Sequence, residues 1–247
     1  MPAQQGFLYE ENTAKFLAQH KLVKPGYRPA GAGHSRADLE VYYKKRTVNV
    51  ELKITAASAG SLVVKYTSSN PSHSRWHFDP HIEDKEKLFI RDVAVKVGAL
   101  KMINRVWSKI PRKRDGEPGD YEFDHASFPE ISEGISPVYI AQYYAQKRTY
   151  YVNVGSHGFY LFNTMDPEHL NPTLRKLKMP PVPSFTQAAT SKYRVRVQAK
   201  GGGAYQFTFE MGFGINTARA SKYNIAPLDP RAKNVNIVSK LFSNPFV

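Results

Sequence analysis

Cysteine is absent from the 247 residues of this chain, which excludes disulfide bonds and thiolate metal ligands. No apolar run approaches the roughly 18 residues that a membrane-spanning helix needs. The first residues, Met1 to Gln5, have neither the basic segment nor the apolar segment of a secretory signal peptide. From these absences we expect a cytoplasmic protein with no membrane partner.

Acidic residues are missing between Glu168 and Glu210, in a chain whose formal net charge is +14. Residues 169–247 contain 12 Lys and Arg against 2 Asp and Glu, whereas residues 1–168 contain 23 against 19. Such an asymmetry predicts a surface that binds a polyanion. The alternative is a basic face that only keeps the protein soluble. An acidic lipid surface is disfavoured, because this part shows strand and loop patterns and no basic amphipathic helix.

Two common catalytic motifs are also missing. The sequence has no Gly-Lys-Ser phosphate-binding loop and no Gly-X-Ser-X-Gly nucleophile elbow. Internal repeats and low-complexity linkers are absent too. Because hydrophobic residues make up 41% of the chain and aromatic residues 13%, a sizeable core is possible. We expect one folded domain that spans residues 1–247.

Two alternating stretches, residues 36–43 and 47–54, are the most informative part of the chain. Both are rich in Val, Ile and Tyr at every second position, which predicts two strands. The basic residues Lys44-Lys45-Arg46 between them predict a hairpin loop. In the simplest register, Tyr43 pairs with Thr47.

This register places Asp38 opposite Leu52 and one residue from Glu51. Glu51 and Lys53 share a face of the sheet, because residues two apart on a strand point the same way. Asp38 joins them if the sheet twists or carries a one-residue bulge. Two carboxylates and an ammonium then meet at one place. The plain alternative is a solvated hairpin face without a chemical role.

Carboxylate oxygens are the hard ligands that Mg²⁺ prefers, and a bound Mg²⁺ neutralises charge on a reacting phosphate. The pattern of Asp38, a dozen further residues and then Glu51-Leu52-Lys53 resembles that of the PD-(D/E)XK nuclease superfamily. This superfamily includes type II restriction enzymes, Holliday-junction resolvases, and repair and phage nucleases. One departure is Ala37 in place of Pro. The resemblance implies that Asp38 and Glu51 hold Mg²⁺ and that Lys53 positions the attacking water.

A predicted helix from Gly6 to Gln19 precedes the hairpin. Its Gly6-X-X-X-Glu10 segment resembles the first-helix motif of the same superfamily, which implies that Glu10 also belongs to the catalytic site. The plain explanation is that Glu10 and Glu11 suit the early turns of a helix dipole. The order helix, loop, Asp strand, basic turn, Glu-X-Lys strand covers residues 6 to about 55. We expect the catalytic core to extend over about 6–66.

Further along the chain, periodicity predicts a long helix from His81 to Ile110 and a loop to Gly134. A helix follows from Pro137 through Gln146, then strands over 149–154 and 158–162, and an irregular connector over 166–186. The predicted fold class is α/β, with a mixed central sheet flanked by helices as in restriction endonucleases, and a β-rich basic C-terminal part.

That basic part, about 170–215, contains two alternating strands, Lys192–Lys200 and Tyr205–Met211, joined by three glycines. The pair resembles the C-terminal strands of some four-base-cutting restriction enzymes. Around Trp76, a loop rich in His and Arg either contacts nucleic acid or is anchored in the core by its Trp. The predicted DNA-binding residues are Arg36, Lys65, Arg75, Arg194, Arg196, Gln198 and Lys200.

Together these features predict an Mg²⁺-dependent endonuclease that cleaves double-stranded DNA, sequence-specifically as a restriction enzyme does. We expect a homodimer, because two sites related by a twofold axis cut both strands symmetrically. The alternatives are a structure-specific or low-specificity phage or repair nuclease, a non-catalytic nucleic-acid-binding protein, and an RNA-binding or virion protein. Charge alone does not separate DNA from RNA.

Overall fold

The computed structural model describes residues 2–29, 37–43, 45–55, 57–67, 76–112, 120–155, 157–162 and 166–225. The chain divides into two compact units. The first consists of Met1–Ala57, Ile140–Thr190 and the chain from Gly214 onward, and the second of Ser58–Tyr139 and Ser191–Phe213. The predicted α/β class is confirmed, and the single domain stays a prediction.

The described ranges contain both helices and strands. The helices are α1 (Pro2–Gln19), α2 (Lys85–Lys96), α3 (Ala99–Val106), α4 (Tyr121–Ser127), α5 (Pro137–Gln146), α6 (Leu170–Lys176) and α7 (Phe185–Ala188). The strands are β1 (Leu39–Tyr43), β2 (Arg46–Lys53), β3 (Ala57–Tyr66), β4 (Trp76–Phe78), β5 (Ile131–Ile135), β6 (Tyr151–Val154), β7 (Gly158–Leu161), β8 (Ala189–Ala199) and β9 (Tyr205–Ile215). None of these helices combines the length and apolar character that a membrane span requires.

The first unit carries a four-stranded mixed sheet in the order β1-β2-β6-β7. β1 and β2 form the predicted antiparallel hairpin, β2 pairs with β6 in parallel, and β6 pairs with β7 in an antiparallel hairpin. Leu39, Val41 and Val50 are fully buried, in one core cluster with Leu17 of α1. The predicted mixed sheet around the hairpin is therefore confirmed.

The predicted register of this hairpin is wrong by one residue. Tyr43 pairs with Arg46, not with Thr47, and Leu39 pairs with Val50. Arg46 therefore belongs to β2, and the turn is shorter than expected. Lys45 makes the short turn possible by adopting the left-handed conformation, with a φ of 67°.

The second unit contains most of a five-stranded sheet in the order β4-β3-β9-β8-β5. One face of this sheet packs an aromatic core in which Trp76 meets Trp107, Phe128 and Phe207 edge-on, with ring centroids 4.7–5.5 Å apart. The Trp76 side chain is completely buried, and its indole N–H donates to the carbonyl of Trp107. Of the two alternatives for Trp76, the core anchor is the one observed.

The long helix predicted from His81 to Ile110 is broken in two at Gly98. This glycine has a φ of 72°, which ends α2 and starts α3 in a new direction. On α2, Ile90 and Val93 are buried, whereas Val95 is exposed.

Three other segments differ from the sequence-based expectation. The predicted loop before Gly134 contains α4 and β5, and the connector over 166–186 contains α6 and α7. β9 continues to Ile215, although the sequence predicted its end before Gly212. Hydrophobic periodicity does not detect such short helices, because they contain too few turns for a pattern to repeat. The start of α4 is instead marked by its N-cap, where Asp120 accepts the backbone N–H of Phe123.

Candidate active site

The hairpin brings Asp38, Glu51 and Lys53 together without a bulge. Continuing the observed register by one step places Asp38 level with Glu51, on the face that Lys53 shares. The Lys53 ammonium lies 3.0 Å from Asp38 Oδ2 and forms a second salt bridge with Glu51 Oε1. The convergence predicted from the sequence is thus observed, and the corrected register explains it more simply.

Asp38 is oriented by the backbone of the neighbouring strand. Its Oδ2 accepts the backbone N–H of Leu52 at 3.0 Å and the Lys53 ammonium at the same distance. The Asp38 side chain is 13% exposed and that of Glu51 8%, so both carboxylates are largely withdrawn from water. Carboxylates in such a place need cations or hydrogen-bond donors to remain charged.

The pKa values of Glu51 and Lys53 are shifted by burial and by the neighbouring charges. Burial raises the pKa of Glu51, an effect that Lys53 opposes and Asp38 reinforces. Burial also lowers the pKa of Lys53, but the attraction of Glu51 and Asp38 outweighs it and leaves that pKa above its ordinary value. In this arrangement Lys53 is a cation that donates to both carboxylates.

Glu10 is buried on α1, and its Oε2 is shielded from solvent with no hydrogen-bond partner in the described part of the chain. Burial, followed by repulsion from Asp38 and Glu51, raises its pKa to about 7 against the opposing effect of Lys53. Glu10 therefore interacts electrostatically with Asp38, Glu51 and Lys53. Glu11, in contrast, is exposed and lies 4.0 Å from Lys15.

A buried amide network fixes the helix that carries Glu10. Asn153 of β6 donates to the hydroxyl of Tyr9 at 3.0 Å and to Asn224 Oδ1 at 2.9 Å. Asn153 Oδ1 in turn accepts the backbone N–H of Ile225. At Gly155, an added Cβ would lie 2.9 Å from the Tyr9 hydroxyl, so only glycine allows this close approach.

Sequence reasoning missed two residues at the end of α5. The Tyr144 hydroxyl is hydrogen-bonded to Glu51, and burial together with the Glu51 charge raises the pKa of this phenol. Lys147, just beyond the helix, lowers the pKa of Glu51 through its positive charge. Tyr144 resembles an ordinary core residue of an apolar helix, so no local pattern identifies it.

The donor atoms at this site are suited to a hard divalent cation such as Mg²⁺. Within the described ranges, no group of three or more His, Cys, Asp or Glu side chains stands close enough to ligate a metal. Lys53 supplies the positive charge that Asp38 and Glu51 share. The buried Oε2 of Glu10 is a further acceptor, and its lack of a partner among the described residues is the observation that favours a cation here.

The predicted DNA-binding residues of the second unit share one face of the sheet. Stacking of Tyr193 on Phe209 places those rings on the core side, so Arg194 and Arg196, one and three positions further along β8, point to the other side. Lys65 of β3 lies on this side as well, because its neighbour Val64 is buried in the core. Gln198 follows the same alternation, and Lys200 is exposed beyond the end of β8. Arg36 and Arg75 lie outside the described residues.

Several of these cations have acidic partners that the sequence did not suggest. Arg194 and Arg196 donate to the same oxygen of Glu210, at 3.3 and 3.0 Å. Lys65 lies 3.0 Å from Asp79. The strand β9 folds back beside β8 and brings Glu210 to an otherwise acid-free stretch. The face remains basic but carries less positive charge than the sequence implies.

No family model and no curated protein matches this chain. Among solved structures, the chain is similar to "HhaI endonuclease in Complex with DNA", with 11% sequence identity and a TM-score of 0.35. The likeness covers 84% of this chain and 90% of that chain. So faint a likeness carries no functional weight, and the case for a function comes from the side chains described above.

Proposed function

We propose that this protein is an Mg²⁺-dependent endonuclease that hydrolyses phosphodiester bonds of double-stranded DNA. The observation that carries the proposal is the convergence of Asp38, Glu51 and Lys53 at one edge of the hairpin. The carboxylate of Glu10, whose Oε2 has no hydrogen-bond partner among the described residues, lies within their electrostatic reach. Acid-rich clusters with a single lysine are unfavourable to bury. Their presence is better explained by chemistry than by stability.

Asp38, Glu51 and, from α1, Glu10 would hold the cation, which when bound supplies positive charge against the charge that develops on the phosphate. Lys53 would orient the attacking water and donate to a phosphate oxygen. The water oxygen forms a bond to phosphorus as the bond to the leaving ester oxygen breaks. That oxygen departs as a hydroxyl, after gaining the proton that the water releases.

The basic face of the second unit supports a nucleic-acid partner. Arg194, Arg196 and Lys65 are of the type that contacts phosphates and fixes the register of a duplex. Gln198 and Lys200 are of the type that can hydrogen-bond base edges in the major groove. We therefore propose restriction-type, sequence-specific cleavage by a homodimer.

A non-catalytic nucleic-acid-binding protein is the second candidate. It is favoured by Lys53, which already neutralises much of the charge on Asp38 and Glu51, and by the lack of a ready three-ligand metal group in the described residues. In that case the acidic cluster is a buried salt bridge without chemistry, and the basic face alone carries the function.

Incubation of supercoiled plasmid with and without Mg²⁺ separates these candidates. The proposal predicts Mg²⁺-dependent cutting into discrete fragments, lost in Asp38→Asn and kept in Glu11→Gln, an exposed acid on α1. A smear, or preference for branched DNA, would replace restriction-type cleavage by a low-specificity or structure-specific nuclease. DNA binding without cutting under any condition would leave the second candidate.

A further inference from the structure

Tyr144 lies deep in the first unit in a fixed position. Its side chain is 1% exposed, and its ring stacks on Phe162 with centroids 4.4 Å apart and planes 12° apart. The ring of Tyr143 contacts it edge-on at 5.2 Å. A ring held on both sides has one direction for its hydroxyl, and that direction leads to Glu51.

Glu51 therefore has two donors of different kinds. The Lys53 ammonium is charged and is shared with Asp38, so an incoming cation competes with it. The Tyr144 hydroxyl is neutral, so it can stay hydrogen-bonded to one carboxylate oxygen while the other accepts a cation. Hydrogen bonds of this kind hold metal-binding carboxylates in orientation and are as much a part of metal sites as the ligands.

We propose that Tyr144 is a positioning residue that fixes the Glu51 carboxylate for divalent-cation binding. This inference rests on the proposed function and adds to it a residue that none of the sequence motifs contains. α5 is thereby part of the site, through a contact that depends on the parallel pairing of β2 with β6.

The plain alternative is that Tyr144 only fills the core, as buried aromatic residues of helices do. The substitution Tyr144→Phe distinguishes the two. It keeps the ring, the stack on Phe162 and the buried volume, and it removes only the hydroxyl. The matched control is Tyr143→Phe, which removes a hydroxyl from the neighbouring buried ring on the same helix.

The experiment is isothermal titration of Mg²⁺, and of Mn²⁺ as a tighter-binding probe, into the full chain without DNA. We expect Tyr144→Phe to bind either ion about 10- to 100-fold more weakly than the parent, the usual effect of losing such a partner. Tyr143→Phe should bind as the parent does. In cleavage assays Tyr144→Phe should lower kcat and leave the affinity for DNA unchanged.

Equal metal affinity of Tyr144→Phe and the parent overturns the inference and leaves the proposed function standing. An equal loss in Tyr143→Phe also overturns it, because the effect would then follow from helix packing. If the parent protein binds neither ion, both the metal-dependent function and this inference are wrong. Circular dichroism at the assay temperature confirms that each variant is folded.

Discussion

The carboxylate of Asp38 accepts the backbone N–H of Leu52 at 3.0 Å, so the two strands of the hairpin are joined by a side chain as well as by their backbones. Leu52 stands between Glu51 and Lys53 in the sequence. The bond thereby fixes Asp38 relative to both of its charged neighbours. Asp38 has a structural as well as a proposed chemical role, and its substitution tests both.

Lys53→Ala should lower the rate of DNA cleavage by at least about 100-fold, because a donor aimed at the reacting phosphate or water is lost. Binding of DNA should change little. The measurement is single-turnover cleavage of a plasmid in Mg²⁺. Lys15→Ala, which removes an exposed lysine from α1, is the control and should cut normally. Cleavage by Lys53→Ala at the parent's rate would show that Lys53 has no catalytic role.

Glu10→Gln should stabilise the protein at pH 8 and not at pH 4.5. The Glu10 pKa rises from 4.5 to about 7 on folding, so the folded parent binds more protons than the unfolded one, and its free energy of unfolding falls as pH rises through this range. Gln has no charge and escapes this loss. After allowance for solvent screening, we expect a gain of about 1–2 kcal/mol at pH 8.

Urea unfolding in EDTA at several pH values measures this difference. Glu11→Gln is the matched control and should follow the parent at every pH, because Glu11 is exposed. A gain for Glu10→Gln that is the same at pH 4.5 and pH 8 would contradict the assignment. In Mg²⁺ the same substitution should weaken cleavage, whereas Glu11→Gln should not.

Neutralising Arg194 and Arg196 together should flatten the salt dependence of DNA binding. Each phosphate contact contributes a slope of about −0.9 in log affinity against log salt, so we expect a change of about one to two. Glu210 should be changed to Gln in the same chain, because its buried carboxylate would otherwise lose both partners at a cost of several kcal/mol.

The control for this triple variant is Lys101→Gln, which lowers the net charge by the same single unit at an exposed position of α3. Its slope should equal that of the parent. Fluorescence anisotropy of a labelled duplex at increasing salt gives both slopes. Identical slopes for all three proteins would mean that the β8 face does not contact DNA.

Gly158→Ala should destabilise the protein by at least about 3 kcal/mol. Gly158 has a φ of 98°, and an added Cβ would collide with the carbonyl of Tyr223 and lie 2.9 Å from Ser221 Cβ. Gly202→Ala also creates a left-handed alanine, with a φ of 69°, but meets no atom within 4 Å, so it should cost only about 1 kcal/mol. Thermal unfolding compares them; equal losses would refute the close contact.

Local pattern sufficed for the parts of the site that lie within one hairpin and one helix. Alternation along β1 and β2 predicted that Glu51 and Lys53 share a face, and the resemblance of the Gly6-X-X-X-Glu10 segment to a first-helix motif implied Glu10, which is buried on α1. The register was wrong by one because the turn depends on Lys45 adopting a left-handed conformation. Sequence seldom predicts that conformation for a lysine.

The contacts that the sequence did not predict depend on pairing between strands that are far apart in the chain. Tyr144 reaches Glu51 only because β2 pairs with β6, which places Val50 beside Tyr151. Glu210 reaches Arg194 and Arg196 because β9 lies beside β8. The local sequence around Tyr144 predicts a buried aromatic residue, and that around Glu210 predicts an alternating strand. Neither local sequence identifies the residue that is contacted.

The Asn153 network has a consequence for the order in which the protein is made. The hairpin with Asp38, Glu51 and Lys53 leaves the ribosome early, whereas Asn224 and Ile225, which orient Asn153, are translated more than 150 residues later. Since a unit folds once all of its segments are available, the nascent chain cannot complete this one until then. A translation product released before residue 224 would contain all four candidate catalytic residues. It would still lack the contacts that hold Asn153 against Tyr9. Those contacts also fix α1, the helix that carries Glu10.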